Sequence, residues 1–205
     1  MTTTIGIKFK DGIILAADKQ VSSDNFVASK YGEKIHQVDE NIGCTIAGLV
    51  ADAMNLIETL RAEFKLYYFD KKRPIPVESS AQLASKIFYR MFRGGRPYYT
   101  QMLLGGITNG TGPKLYVIDP SGGMVEDNFI STGSGSQVAY GTLENGYKEN
   151  LSEQEAIKLA YKALKAAVER NPYTGGRSEV VIISEEGYKK MDNEELLKVV
   201  NEVNN

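Results

Sequence analysis

The apolar residues of this chain switch between strand spacing and helix spacing in blocks, and the order of those blocks restricts its fold more than anything else. Ile5, Ile7 and Phe9 alternate with small or polar residues, which reads as a strand. Asp11-Gly12 is a tight-hairpin signal, and the continuous apolar run at 13–17 suits a strand covered on both faces. Two more strands are expected at about 34–38 and 44–48, with a turn between them. Four strands on short connections imply antiparallel pairing. The period then changes: Val50, Met54, Ile57, Leu60 and Phe64 share one face of a helix that runs to about residue 69. Pro74 and Pro76 break the chain. A second helix carries Val77, Ala81, Ala84, Phe88 and Met91 on one face and ends at Gly94-Gly95. Strands return at 102–107, 114–118 and 126–131, followed by a short helix at about 137–147. Ser152-Glu153-Gln154-Glu155 is a capping-box pattern, and it opens a helix reaching Arg170. A buried-type strand at 180–183 and a last amphipathic helix from Asp192 complete the order. Blocks arranged this way predict a single α/β domain over 1–205, with two packed sheets flanked by helical layers.

Composition narrows the function classes. The net charge is −2 with no run of like charge, so a nucleic-acid or anionic-membrane surface is not expected. No window approaches the ~18 apolar residues of a membrane span. The first twelve residues lack the basic and apolar regions of a signal peptide, which points to an intracellular, cytoplasmic protein. The one cysteine, Cys44, lies in an apolar stretch and reads as a small buried hydrophobe; it excludes an internal disulfide and a multi-cysteine metal site. The one histidine, His36, excludes a two-histidine zinc site and makes a histidine base in any hydrolase an unfavoured choice. No metal or cofactor is expected.

One way to activate a hydroxyl without histidine is to use an N-terminal amine. Thr2 follows Met1, and methionine before a small residue is commonly removed. The freed α-amine, with an ordinary pKa of about 7.7–8.0, can act as general base for its own hydroxyl. Asp18 ends the buried run and Lys34 opens the third strand. A lysine beside the nucleophile would favour the alkoxide and lower the amine's pKa, and an aspartate would hold that lysine. Taken alone, Asp18 and Lys34 read better as a plain surface salt bridge, the usual fate of such residues. Gly133-Ser134-Gly135 follows a strand and precedes a helix, but Val138 stands where a dinucleotide fingerprint needs a third glycine. The motif reads instead as a tight turn presenting the Ser134 hydroxyl and backbone amides.

Taken in order, Thr2-Thr3-Thr4-Ile5-Gly6, Asp11-Gly12, Ala17-Asp18, Ala28-Ser29-Lys30, Lys34-Ile35, Ala47-Gly48, Asp52-Ala53, Gly105-Gly106, Gly133-Ser134-Gly135-Ser136 and Ala139-Tyr140-Gly141 resemble the archaeal-type 20S proteasome β-subunit, from Thr2 to about Ile183. The resemblance implies an N-terminal-nucleophile hydrolase built as an αββα sandwich of two antiparallel sheets. It implies a threonine endopeptidase that acts on unfolded polypeptide. The partners it implies are other β-subunits in a seven-membered ring, α-subunit rings outside it and, indirectly, a regulatory ATPase. The family's nucleophile falls on Thr2, its aspartate on Asp18, its lysine on Lys34, its oxyanion amide on Gly48 and its amine-orienting serine on Ser134. Its specificity pocket maps to Val21, Gly32, His36, Ile46, Val50 and Met54. Of these, Val50 and Met54 are four apart on one helix face, and with Ile46 they favour cleavage after hydrophobic residues.

Two departures stand out. Where the family has Arg-Asp and then a Ser-Gly or Thr-Gly turn, this chain reads Arg170-Asn171-Pro172-Tyr173-Thr174-Gly175. Thr174 can replace a serine hydroxyl; Asn171 can accept a hydrogen bond but brings no charge. Family members also often carry a longer segment ahead of the threonine, removed autocatalytically, whereas Met1 alone precedes Thr2 here. A structural β-subunit of low activity is therefore the alternative expectation. The segment at 188–205, expected as a C-terminal tail helix, argues against the shorter bacterial relative.

Overall fold

Two five-stranded antiparallel sheets lie face to face, each with helices on its outer side. The structure, a computed structural model, describes residues 2–23, 26–108 and 110–201. Met1 and the last four residues of the expected tail lie outside the described residues.

The chain opens with β1 (Thr3–Phe9), β2 (Gly12–Asp18), β3 (Val21–Ser23), β4 (Phe26–Ser29), β5 (Ile35–Asp39) and β6 (Ile42–Gly48). Helices α1 (Val50–Lys71) and α2 (Val77–Arg93) follow, then β7 (Thr100–Thr108), β8 (Gly112–Ile118), β9 (Met124–Glu126) and β10 (Phe129–Gly133). The last part holds α3 (Ser136–Gly146), α4 (Glu153–Arg170), β11 (Ser178–Ser184), β12 (Gly187–Lys190) and α5 (Asn193–Asn201). One sheet has the order β10-β1-β2-β11-β12 and the other β5-β6-β7-β8-β9; β3 and β4 form a separate ribbon.

Alternation along β2 shows why both faces of the first sheet are apolar. Ile14 and Ala16 join Ile5, Ile7, Phe9, Val180 and Ile182 under α3, α4 and α5. Ile13, Leu15 and Ala17 point the other way and meet Leu103, Leu115, Val181 and Ile183 between the sheets. A strand buried on both sides has no room for a polar alternate, hence its unbroken apolar run. The outer layer on the second sheet packs Leu56, Ile57, Leu60 and Phe64 of α1 and Ala81, Ala84 and Phe88 of α2 over Cys44, Met102, Leu104 and Tyr116. The layer order is therefore helix, sheet, sheet, helix. Among the described residues no helix is long and apolar enough to cross a membrane.

Several local expectations are corrected. Among the described residues the opening holds six strands: β3 and β4, three and four residues long, are too short for a period to show. Paired strands are β1 with β2 and β5 with β6, but β2 and β5 sit in opposite sheets. The strand expected at 126–131 is two strands, β9 in one sheet and β10 in the other, with the chain crossing the sandwich between them. Residues 187–190 are an edge strand, so the C-terminal helix begins only at Asn193. Gly12 is not a left-handed turn residue. The hairpin loop is Lys10-Asp11, and a Cβ at Gly12 would lie 2.2 Å from the Ile183 carbonyl oxygen, so a close strand approach requires the glycine.

Candidate active site

Antiparallel pairing brings strand ends together at one end of the sandwich. In the first sheet Thr3 of β1 stands opposite Gly133, the last residue of β10, while Asp18 at the end of β2 stands opposite Ser178, the first residue of β11. In the second sheet Gly48 ends β6 opposite Thr100, and Lys34 leads into β5, its carbonyl accepting from the Ile46 amide at 3.0 Å. Residues far apart in sequence thereby surround Thr2.

Asp18 is the hub. Its Oδ1 accepts from the Thr2 hydroxyl at 3.1 Å, the Thr3 amide at 2.9 Å and the Lys34 ammonium at 2.7 Å. Its Oδ2 accepts from the amides of Gln20 and Gly175, each at 3.0 Å. Thr2, Asp18 and Lys34 are all buried. A carboxylate so far from water needs such donors, because an uncompensated buried charge is strongly unfavourable. Burial is the largest influence on Lys34 and pushes its pKa down; the Asp18 carboxylate opposes that shift. A surface ion pair, the plainer reading of Asp18 and Lys34, is excluded by this burial.

The Gly-Ser-Gly turn cradles the start of the chain. Gly133 has φ +88°, and a Cβ there would fall 2.1 Å from the Thr2 carbonyl oxygen. A Cβ at Gly135 would fall 2.1 Å from the Thr3 hydroxyl. The Ser134 hydroxyl stands 3.5 Å from the Thr2 carbonyl oxygen and 3.2 Å from Asn171 Oδ1. Asn171 Oδ1 also accepts from the Tyr173 amide at 2.9 Å and the Thr174 hydroxyl at 3.2 Å. The amide N–H of Tyr173 can only donate, which fixes that side of Asn171 as its carbonyl oxygen. Since Thr174 spends its proton on Asn171, the 2.7 Å contact between Thr3 and Thr174 has Thr3 donating.

Beside Thr2 is a cavity of about 80 Å³ lined by Gln20, Val21, Ser22, Glu33, Lys34, Ile46, Gly48 and Val50. Of the expected pocket residues Val21, Ile46 and Val50 line it; Gly32, His36 and Met54 do not. Gly32 backs its wall, where a Cβ would come 2.3 Å from Val21 Cγ2. Met54 packs into the core under α1. His36 has a buried Nε2 without a hydrogen-bond partner among the described residues. Burial, and then Arg61, lowers its pKa. Gly48 has φ +144°, and a side chain there would collide with the Tyr99 carbonyl at 2.2 Å, so glycine alone lets β6 end against β7 beside Thr2. Larger cavities occur, including one of about 810 Å³ between β5 and α1, but it shares no lining residue with the Thr2 site. Convergent polar groups, not volume, mark the site.

Sequence reasoning missed three participants. Thr3, Gln20 and Gly175 act mainly through backbone amides on Asp18, and a backbone donor leaves no mark on residue identity. Gly175 had one usable signal, its place in the Thr174-Gly175 turn that follows Asn171.

The fold is a four-layer αββα sandwich whose first strand is preceded by Thr2, with the Thr2 hydroxyl and the Lys34 ammonium both donating to buried Asp18. The proteasome subunit family model matches residues 1–183. The chain is 43% identical over 206 residues to a protein of Methanothermobacter thermautotrophicus named proteasome subunit beta, covering 99% of this chain and 96% of that one. It is 45% identical to a proteasome subunit beta of Methanosphaerula palustris, over 95% of this chain and 92% of the relative. With the proteasome subunit beta of Methanopyrus kandleri the identity is 40%, over 97% and 95%. The chain belongs to the proteasome subunit family.

Proposed function

We propose that this chain is a β-type subunit of the proteasome core, a threonine endopeptidase that hydrolyses peptide bonds with Thr2 as nucleophile. One observation carries the choice of residue: the Thr2 hydroxyl and the Lys34 ammonium converge on a single oxygen of buried Asp18. The working form has no peptide bond ahead of Thr2, because an amide nitrogen is no base. The free amine takes the hydroxyl proton as the oxygen attacks the scissile carbonyl carbon. The Gly48 amide donates to the oxyanion that forms, and Lys34 stabilises negative charge on the threonine oxygen. The amine's proton then passes to the leaving nitrogen, and the C–N bond breaks to leave an acyl-threonine ester. Water, deprotonated by the same amine, cleaves the ester and restores Thr2. Ser134, Asn171 and Thr174 orient the amine end of the residue.

Val21, Ile46 and Val50 around the cavity support cleavage after apolar residues of unfolded polypeptide. Assembly follows from family membership: the chain joins other proteasome subunits, in our reading as a seven-membered β ring between α rings, served by a regulatory ATPase in the cytoplasm. Leu66, Tyr68, Phe69, Tyr89 and Phe92 are exposed, as in a protomer that is covered on assembly.

Intact mass, labelling by an epoxyketone-type electrophile and a Thr2→Ala variant test this reading in assembled particles. The expected results are a chain beginning at Thr2, adduct on Thr2, and peptidase activity lost in the variant. Full activity in Thr2→Ala overturns the assignment. A particle that never labels and never cleaves favours a purely structural subunit.

A further inference from the structure

Behind the site lies a group of charges that this mechanism leaves unused. Glu179 stands on β11 opposite Ala17, next to the Ser178–Asp18 pairing. Its side chain is 1% exposed, and neither oxygen makes a well-formed hydrogen bond among the described residues. Its partners are cations: Lys190 Nζ in direct contact and Lys19 Nζ at 3.8 Å. Lys190 also reaches Glu33 at 3.0 Å. Lys19 follows Asp18 in the chain, and Glu33 precedes Lys34. Asp18 and Lys34, the two charges joined at the Asp18 oxygen that also accepts from the Thr2 hydroxyl, are therefore each one peptide unit from a residue tied to the Glu179–Lys190 pair. Glu33 also forms part of the cavity wall. Buried Glu179 needs a cation, because an unpaired buried charge is strongly unfavourable, but that need does not require the half-exposed Lys190 to hold Glu33 as well. Its position does.

We propose that Glu179 and Lys190 are positioning residues for the hydrolysis: the chain Lys19–Glu179–Lys190–Glu33 sets the spacing between the Asp18 and Lys34 segments and so places the Lys34 ammonium against Thr2. The proposal rests on Thr2 being the nucleophile. Other groups facing this network are His36 on β5, Cys44 on β6, Arg61 on α1 and Tyr188 on β12. Glu33 answers to it directly, its carboxyl held below the usual range first by the hydrogen bond from Lys190.

The test compares assembled wild-type, Glu179→Gln, Lys190→Met, Glu33→Gln and Lys190→Met/Glu33→Gln particles in peptide hydrolysis across pH. Glu179→Gln and Lys190→Met are expected to lower kcat by roughly three- to thirtyfold while KM stays within about twofold. The acid limb of the rate profile should move in opposite directions, by about a few tenths of a pH unit. Loss of a negative charge in Glu179→Gln weakens the protonated amine and shifts the limb down; loss of a positive charge in Lys190→Met shifts it up. A packing defect has no reason to give opposite signs. The double variant should lose no more than Lys190→Met alone, because Lys190 acts through Glu33. Should Glu179→Gln fail to assemble, Glu33→Gln supplies the downward shift, being an exposed change. Wild-type kcat and an unmoved limb in the variants overturn the proposal while Thr2→Ala remains inactive. Activity that survives Thr2→Ala overturns the reading of Thr2, and this proposal with it.

Discussion

Three donors converge on Oδ1 of Asp18 and two backbone amides hold Oδ2, so the carboxylate is fixed in place with no freedom to follow a substrate. Fixed charges of this kind lower a barrier because they need not reorganise during reaction. Asn171 serves a different purpose. Its oxygen already accepts from Ser134, Tyr173 and Thr174, so the neutral amide does the structural part of a carboxylate's work. What it omits is charge. Asn171→Asp keeps the acceptor and adds a negative charge beside Ser134, which on our proposal orients the threonine amine. The acid limb of the peptidase pH–rate profile should then move up by roughly half a unit, with slower turnover below neutral pH and little change above it. Rates measured from about pH 5 to 9 check this.

At the level of elements, α4 is the best-specified piece. The Ser152 hydroxyl accepts from the Glu155 amide at 3.4 Å, and the Glu155 carboxylate accepts the Ser152 amide at 2.8 Å. Ala156, Ile157, Ala160, Ala163 and Leu164 fasten the helix onto β1 and β2, whose ends bear Thr2 and Asp18. Ser152→Ala should cost about 1 kcal/mol and lower the melting temperature. The kcat of assembled particles should stay at the wild-type value, because the cap lies at the far end of the helix from Asn171, its C-cap. A scan of melting temperature together with kcat distinguishes the two effects.

For the molecule as a whole, sheet-on-sheet packing creates environments no single strand has. His36 pairs with Cys44 across β5 and β6, and the layers around it leave Nε2 buried and, among the described residues, unpartnered. Burial first, then Arg61, pushes its pKa below the ordinary value, with Glu33 and Glu179 opposing. The unfolded chain therefore binds the proton more readily. Stability from His36 is complete above the unfolded value of about 6.5, falls as pH drops through the lower folded value, and is gone beneath it. Assembled particles should melt at lower temperature as pH falls below about 6.5. His36→Leu should flatten that part of the curve, and thermal melts in steps of pH measure it.

The sequence alone determined the helices and the doubly buried strands, because their signals are local: the spacing of Leu60 and Phe64, the Ser152 cap, the unbroken run into Asp18. It supplied the types of the site residues, through the resemblance that begins at Thr2. Tertiary structure decided the rest. Strands β3, β4 and β12 hardly pattern by themselves, and nothing in Asp127-Asn128 says that the chain changes sheets there. The glycines at 12, 133 and 135 answer to backbone and side chains far along the chain. Most of all, Thr2, Asp18, Lys34, Ser134 and Asn171 meet only because strands from distant parts of the sequence end at one edge. Periodicity tells a residue which way to face, but only long-range pairing tells it whom it will meet.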